Sequence, residues 1–577
     1  MPLSNLNLLA TAPDGVAKLR ELILTLAVQG KLLPQDPSDE PASVLLRKIR
    51  AEKDRLIAEG KIKRDKPLAE IAADEKPFEL PTGWEWVPLQ HIGYTQTGTT
   101  PDKKNPEFYG AHIPFIKPGD IYSGHVDYGN EALSERGLQN SGRVAPTGSV
   151  LMVCIGTIGK TNIINRDCSF NQQINSITPL CCSPDFVSLY LRCPEFQSQA
   201  WARSASTTIA ILNKGNWEQI PVALPPLAEQ SRIVTRVEEL MRLCDALQDK
   251  ARLEATQHAQ LVATLLGTLT AASGAGASDA SAATPGETAD PLLARWQRVA
   301  PHFDLLLDRP EAVDALEQTI LQLAVRGHLV PQDPHDEPAS ALLKKIRAEK
   351  DQLIAEGKIK RDKPLPPIAD DEKPFDLPQG WEWARLGEVV LISSGVTLGR
   401  KTAIPSPVSL PYLRVANVQR WHLNLTSVKE VVVDESELER FQLVSGDLLI
   451  TEGGDWDKVG RTTIWRNELP ICGHQNHVFK ARGTSSQWNP VWAEMYLNSA
   501  VARAYFASSA KQTTNLASIN MTQLKDCAFP FPPLTEQSRI VARVASLRAL
   551  CADLRQRLTT ARTQQALLAQ ALVQEVA

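Results

Sequence analysis

Three short stretches carry residue types that could do chemistry. Gly156-Thr157-Ile158-Gly159-Lys160-Thr161 ends like a P-loop, in which backbone amides and a lysine cradle a nucleotide's phosphates. The full pattern needs glycine at 154, and this chain has Cys154. The matching place in the second half ends Gly460-Arg461-Thr462. A strand-turn-strand presenting one cation accounts for both better than ATP binding does. Glu59-Gly60-Lys61, repeated at Glu356-Gly357-Lys358, fits a nuclease E-x-K fragment, but sits at a predicted helix end where glycine is an ordinary terminator. The nine cysteines include no Cys-x-x-Cys and no Cys/His cluster with zinc spacing. They read as small buried hydrophobes in a reducing cytosol. There is no Asn-Pro-Pro-Tyr or Asp-Pro-Pro-Tyr, no G-x-G-x-x-G, and no Ser/His/Asp or Cys/His set. The chain reads as non-catalytic, holding no cofactor or metal of its own.

What must position such residues follows from length and repetition. At 577 residues the chain is too long for one compact domain, and 43% hydrophobic with 22% charged residues is ordinary globular composition. The net charge of −4 excludes a surface that is basic throughout. Met1 to Ala12 has no basic, apolar signal pattern, and no stretch approaches the roughly twenty apolar residues of a spanning helix. A cytoplasmic protein without membrane contact is expected.

The sequence is written twice. Leu19 to Leu89 aligns without a gap to Leu316 to Leu386, 53 of 71 positions being identical. Pro225 to Val237 (PPLAEQSRIVTRV) pairs with Pro532 to Val544 (PPLTEQSRIVARV). Between these brackets the halves are dissimilar. Two copies near 300 residues indicate a duplicated module, not a solenoid of 20–50-residue units.

The predicted organisation is a helical repeat over 1–83, a variable domain over 84–224, a central helix over 225–270, a Gly/Ala/Ser-rich linker over 271–291, a second helical repeat over 292–380, a second variable domain over 381–531 and a C-terminal helix over 532–577. Helices are predicted over 16–28 and 41–59. In the second of these, Leu45, Leu46, Ile49, Leu56 and Ile57 form the inner face, with Arg47, Lys48, Arg50, Lys53 and Arg55 largely outside it. Trp84 and Trp86 (Trp381 and Trp383) anchor a first strand rather than stack on a base. Strands are expected at 113–116, 150–155, 412–418 and 447–451.

Heptads run through Ile233, Val237, Leu240, Cys244, Leu247, Ala251, Glu254, His258, Leu261 and Leu265, and through Ile540, Val544, Leu547, Cys551, Leu554, Leu558, Ala561, Gln565, Leu568 and Leu572. They predict two long helices pairing as a coiled coil, with Glu254, His258 and Gln565 setting register. The fold class is α+β: two mixed domains separated by long helices, with pseudo-twofold duplication.

Two dissimilar segments, each opened by Leu-Pro-x-Gly-Trp-Glu-Trp and closed by Pro-Pro-Leu-x-Glu-Gln-Ser-Arg-Ile-Val, closely resemble the specificity (S) subunit of type I restriction–modification systems. Leu26 to Ser43 (LAVQGKLLPQDPSDEPAS) resembles one branch of that family. The resemblance implies two target-recognition domains, each reading one half of a split sequence in double-stranded DNA, held apart by antiparallel helices. It implies two methyltransferase (M) subunits docked on the chain, joined by restriction (R) subunits. S-adenosylmethionine and ATP with Mg would be bound by those partners, the methylated base being adenine. The reading from another class is a coiled-coil scaffold whose variable domains bind proteins; a self-sufficient nuclease or methyltransferase lacks its motifs.

Major-groove readout favours Arg or Lys on guanine and Asn or Gln on adenine. Candidates in polar or Gly/Pro-rich stretches are Thr99, Thr100, Lys103, Lys104, Lys117, Lys160, Asn171, Gln172, Gln173 and Lys214 in the first domain. In the second they are Arg400, Lys401, Arg414, Asn417, Gln419, Arg420, Lys458, Arg461, Gln475, Asn476 and Lys511. The domains themselves are near neutral: residues 90–220 hold ten basic and ten acidic side chains, and 387–527 hold fourteen and thirteen. Two cassettes are basic, 41–66 with nine against four and 338–363 with eight against four, suited to DNA phosphates or an acidic partner surface.

Overall fold

The computed structural model describes residues 8–141, 143–205, 209–270, 291–399, 404–454, 458–512 and 517–576. Arg400, Lys401 and all of the linker except Pro291 lie outside them. The chain forms two compact units, residues 1–254 with 561–577, and residues 255–560. Each is α+β, and the duplication is visible element by element.

In the first unit, Gly15–Val28 and Ala42–Ala58 are the repeated helices. The first stops at Gly30, whose φ of +70° suits glycine, and a Cβ there would meet Pro81 Cγ at 2.5 Å. Gly327 repeats the arrangement against Pro378. The second helix begins after Pro41, and its first free amide, on Ala42, donates to the Gly83 carbonyl at 2.8 Å. One apolar cluster runs from Ile23, Ala27 and Ile49 through Trp84, Val150, Phe186 and Trp217 to Ile233 and Cys244.

The sequence motifs that bracket each variable segment meet in space. Strand Glu85–Pro88 pairs antiparallel with Pro221–Leu224, and Glu382–Arg385 with Ala528–Phe531. Trp84 Nε1 donates to Glu229 Oε2 at 2.9 Å, and Trp381 Nε1 to Glu536 Oε2 at 2.9 Å. Gln35 and Gln332 supply second donors to the same carboxylates. Burial pushes both carboxyl pKa values up, and the indole and amide donors oppose it. The repeated Glu is therefore the buried acceptor that ties the start of each domain to its end.

Between the brackets, the dissimilar sequences share one four-stranded sheet and the parallel strand pair beside it. A four-stranded antiparallel sheet has the order Gly93–Thr97, Ile174–Pro179, Val150–Val153, Thr161–Ile163. Its counterpart is Val390–Ser394, Val478–Gly483, Leu448–Thr451, Thr462–Ile464. Beside it, Tyr109–Ile116 pairs parallel with Cys168–Phe170, and Pro407–Leu413 pairs parallel with Gly473–His474. The strand expected over 412–418 ends at Leu413. Arg414 instead opens a turn closed by the Asn417 side chain, whose Oδ1 accepts from the Arg414 amide at 2.9 Å.

Two further expectations are corrected. Lys53 is on the inner face of its helix, in line with Ala42, Leu45 and Ile49. Its ammonium is satisfied there by Asp65 at 2.7 Å and the Gln90 carbonyl, as Lys350 is by the Gly387 carbonyl at 2.8 Å. One lysine of each basic cassette is thus a structural staple. Secondly, the heptad seam holds only in the first part of each long helix, Leu227–Thr270 and Leu534–Val576. Ile233, Val237 and Cys244 are buried, as are Ile540, Val544 and Cys551, but Leu261 and Leu568 are half exposed. Burial passes to Val262, Leu266 and Leu269, and to Ala569. A straight helix drifts about 20° per heptad from a 3.5-residue repeat, so four heptads move the inner face by nearly one residue.

The packing partner changes there too. Val262, Leu266 and Leu269 cluster with Val299, Leu306 and Ala312, while Ala569 clusters with Leu9 and Ala12. His258 Nε2 lies 3.2 Å from the Leu305 carbonyl and from Asp308, so it braces this local packing. Glu254 and Gln565 are exposed.

Candidate nucleic-acid interface

The candidate residues come from separate loops, and backbone hydrogen bonds gather most of them at one end of the four-stranded sheet. The Thr99 amide donates to the Phe170 carbonyl at 3.0 Å, and the Asn171 amide to Ile116 at 3.0 Å. The Cys154 amide reaches the Gln173 carbonyl at 2.8 Å. Thr100 Oγ1 donates to Gln172 Oε1, and Lys160 Nζ to the Pro118 carbonyl at 3.0 Å. The second domain repeats the frame. The Gln475 amide donates to Leu413 at 2.8 Å, Asn476 to Val396 at 3.0 Å, and Glu452 to His477 at 3.0 Å. Asn171 and Gln475 thus occupy one position, as do Gln172 and Asn476, Lys117 and Arg414, and Lys160 and Arg461.

Within this frame the side chains divide by what already engages them. Asn171 is 7% and Asn417 3% exposed. Asn171 bonds Gln173, and Asn417 donates to the Asn424 and Ser427 carbonyls, so both hold their own loops together. Lys117 is paired with Glu131 at 2.5 Å, and Lys214 with Glu218 at 2.6 Å. Arg414 Nη2 donates to the Ser427 carbonyl at 3.2 Å, and Arg420 Nη1 to Asn498 at 3.2 Å. Lys103, Lys104, Lys160, Gln172 and Lys511 are exposed. Lys458, Arg461, Gln475 and Asn476 are half-buried at the rim.

The P-loop-like stretch is a hairpin. Val150–Val153 pairs antiparallel with Thr161–Ile163, where a nucleotide loop would lead into a helix. Gly159 and Gly460, with φ of +97° and +69°, turn the chain just before each cation. Glu59-Gly60-Lys61 closes a helix end, Gly60 having φ +69° and Lys61 pairing with Glu59 at 2.9 Å. Among the described residues no three His, Cys, Asp or Glu side chains are grouped to hold a metal. Eight of the nine cysteines are buried. Burial pushes the thiols of Cys154, Cys193 and Cys527 up to about 12, so these are packing residues and not nucleophiles.

Sequence reasoning missed the aromatic content of the rim. Tyr122 and His125 stack at the tip of a tight hairpin, ring centroids 4.7 Å apart and 7° from parallel. The Lys160 ammonium lies 5.5 Å over the tyrosine ring. Both aromatics are exposed. The signal was present as Tyr and His flanking Ser-Gly in a turn-rich stretch. In the second domain Trp421, at φ +70°, fills the same hairpin and lies under the Arg548 guanidinium at 4.2 Å.

Two copies of one frame, each ending in a rim of amides, cations and exposed rings, define a duplicated recognition protein. Hydrogen-bonding side chains of these types suit the edges of bases and the oxygens of phosphates. Residues 81–257 and 378–561 each match the type I restriction modification DNA specificity domain. The chain is 36% identical to the Escherichia coli type I restriction enzyme EcoAI specificity subunit, over 97% of this chain and 93% of that one. It is 35% identical to the EcoEI specificity subunit over the same shares. The chain belongs to the family of type I restriction–modification specificity subunits. Among solved structures, the HsdS subunit from Thermoanaerobacter tengcongensis is 20% identical, with a TM-score of 0.37 over 87% of this chain and 98% of that one. No helix among the described residues is long and apolar enough to cross a membrane.

Proposed function

We propose that this chain is the non-catalytic DNA-recognition subunit of a type I restriction–modification complex, each variable domain reading one half of a two-part target. The observation that carries the reading is the double family match, each copy covering one frame whose rim residues differ. Different rims on equal frames suit different half-sites, while near-identical flanking segments suit two equal docking partners. Those partners would be methyltransferase subunits supplying S-adenosylmethionine, joined by restriction subunits supplying ATP chemistry. Co-expression with the methyltransferase subunit tests it. Methylome sequencing with and without this chain is expected to give a bipartite adenine-methylated motif that vanishes when the chain is omitted. A complex that forms but methylates without sequence preference would favour the protein-binding scaffold.

Near-neutral readers neutralise few phosphates, so DNA binding by the isolated chain is expected to be weak and salt-sensitive, tightening sharply once the methyltransferase subunits are bound. Equal affinity with and without them, measured by titration at two salt concentrations, would contradict this. Inserting four residues into the helix between 247 and 255 adds about 6 Å at 1.5 Å per residue. The expected result is a changed unread spacer with both half-site sequences intact; altered half-site bases with an unchanged spacer would overturn it.

A further inference from the structure

The hairpin tip and the post-glycine cation occupy the same backbone positions in both domains. The Tyr122 amide donates to the His125 carbonyl at 2.9 Å, as the Gln419 amide does to His422 at 3.1 Å. The bridges beneath them are Ile121 with Val126 and Val418 with Leu423. Facing the tips, the Val153 amide donates to the Lys160 carbonyl at 2.8 Å and the Thr451 amide to the Arg461 carbonyl at 3.0 Å. In each domain one tip side chain touches one cation: Lys160 over the Tyr122 ring, and Arg461 Nη1 on Gln419 Oε1 at 2.7 Å. The backbone is held constant and the chemistry is exchanged.

The second pair is the more constrained. Gln419 Nε2 is tied back to the Ala416 carbonyl at 2.9 Å, which fixes the amide so that Oε1 faces Arg461. The same turn is clamped by Trp421 under Arg548 and by Arg420 on Asn498. The Arg461 side chain thus has one guanidinium nitrogen held by Gln419. Its Nη2 and Nε have no protein acceptor among the described residues. A planar fork with one edge fixed and the other open is preorganised to donate twice to a pair of acceptors. Guanine O6 and N7 present such a pair in the major groove.

Resting on the DNA-recognition reading above, we infer that the 122/160 and 419/461 pairs are the same specificity position in the two readers, and that Arg461, positioned by Gln419, reads a guanine in the second domain's half-site. Lys160, a point charge over an aromatic face, lacks the fork and sets a different base preference in the first.

The test uses the assembled methyltransferase complex on DNA libraries randomised in both half-sites. Arg461→Lys keeps the charge and gives the second domain the cation of the first. It is expected to lower discrimination at one guanine of the second half-site by about 5- to 150-fold, leaving the first half-site unchanged. Gln419→Ala is expected to relax the same base and no other, and the double variant to go no further than Arg461→Lys alone. Loss of methylation that is even across all sequences, no change in either variant, or relaxation at a base other than guanine would each overturn the inference. The unchanged half-site reports folding within the same molecule. A wild-type complex without a bipartite motif would instead sink the recognition reading itself.

Discussion

Replacing Trp84 with alanine is expected to destabilise the first reader by about 3–5 kcal/mol while leaving the second folded. Trp84 is 5% exposed in the core shared by the repeated helices and the variable domain. Its removal takes away packing on Gly30 and the 2.9 Å bond to Glu229. Glu229, 1% exposed, would keep, among the described residues, the Gln35 donor alone at 3.3 Å, and a buried carboxylate that loses a donor carries more of its desolvation cost. Trp84→Phe separates the two contributions: it retains most of the ring and is expected to cost about 1–3 kcal/mol through the lost donor. Hydrogen exchange resolves the domains. Protection should fall in Glu85–Pro88 and Pro221–Leu224 and persist in Glu382–Arg385 and Ala528–Phe531. Equal loss in both strand pairs, or in neither, would show that the bracket is not an independent fastening for each domain.

This bracket also marks how far the sequence could be read. Trp84 as a strand anchor followed from its place after Pro-x-Gly, but its partner lies 145 residues away in a motif recognisable only as a repeat. The repeat showed that the two segments matter jointly; contact chemistry needed coordinates. The variable domains illustrate the converse. Their sequences do not align, yet the strand orders of their four-stranded antiparallel sheets coincide, because those sheets are held by backbone bonds that many side-chain patterns satisfy.

Where local patterning misled, the reason was a tertiary partner. Lys53 counts as an outer residue by residue type and as an inner one by spacing, and Asp65, beyond the helix end, decides for spacing. The heptads were legible until the helices outran their first partners. At the rim, residue type pointed to Asn171 and Asn417 as readers. Asparagine is as good at closing a turn as at touching adenine, and these two close turns. Tyr122 and His125 were passed over because an aromatic in a turn resembles packing until its exposure is known.

Replacing His474 with phenylalanine should remove an acid sensitivity confined to the second reader. His474 is fully buried, and its Nδ1 lies 2.7 Å from the Val478 carbonyl, so Nδ1 carries the proton and donates. Nε2 has no partner among the described residues. Burial drives the imidazole pKa down to about 4, and Lys480 and Arg482 add to the shift. Below pH 6.5 the unfolded chain takes up a proton that the folded domain refuses until about pH 4. The unfolded state therefore binds more protons across that window, so stability is fully present above pH 6.5 and falls as pH drops. A fall from 6.5 to about 4 corresponds to about 3 kcal/mol lost by pH 4. The equivalent position in the first domain is Phe170, also fully buried, which shows that the shared frame accepts a ring without nitrogens. His474→Phe is expected to change stability at pH 7 by less than about 1.5 kcal/mol. It should also flatten the fall between pH 6.5 and 4, read as exchange protection of strand Val478–Gly483. Strand Ile174–Pro179 of the first domain serves as the internal reference, because groups outside the His474 site contribute equally to variant and parent. An unchanged pH profile in the variant would mean that the buried imidazole is already protonated in the folded domain, with Nε2 donating to an acceptor in place of standing unpaired.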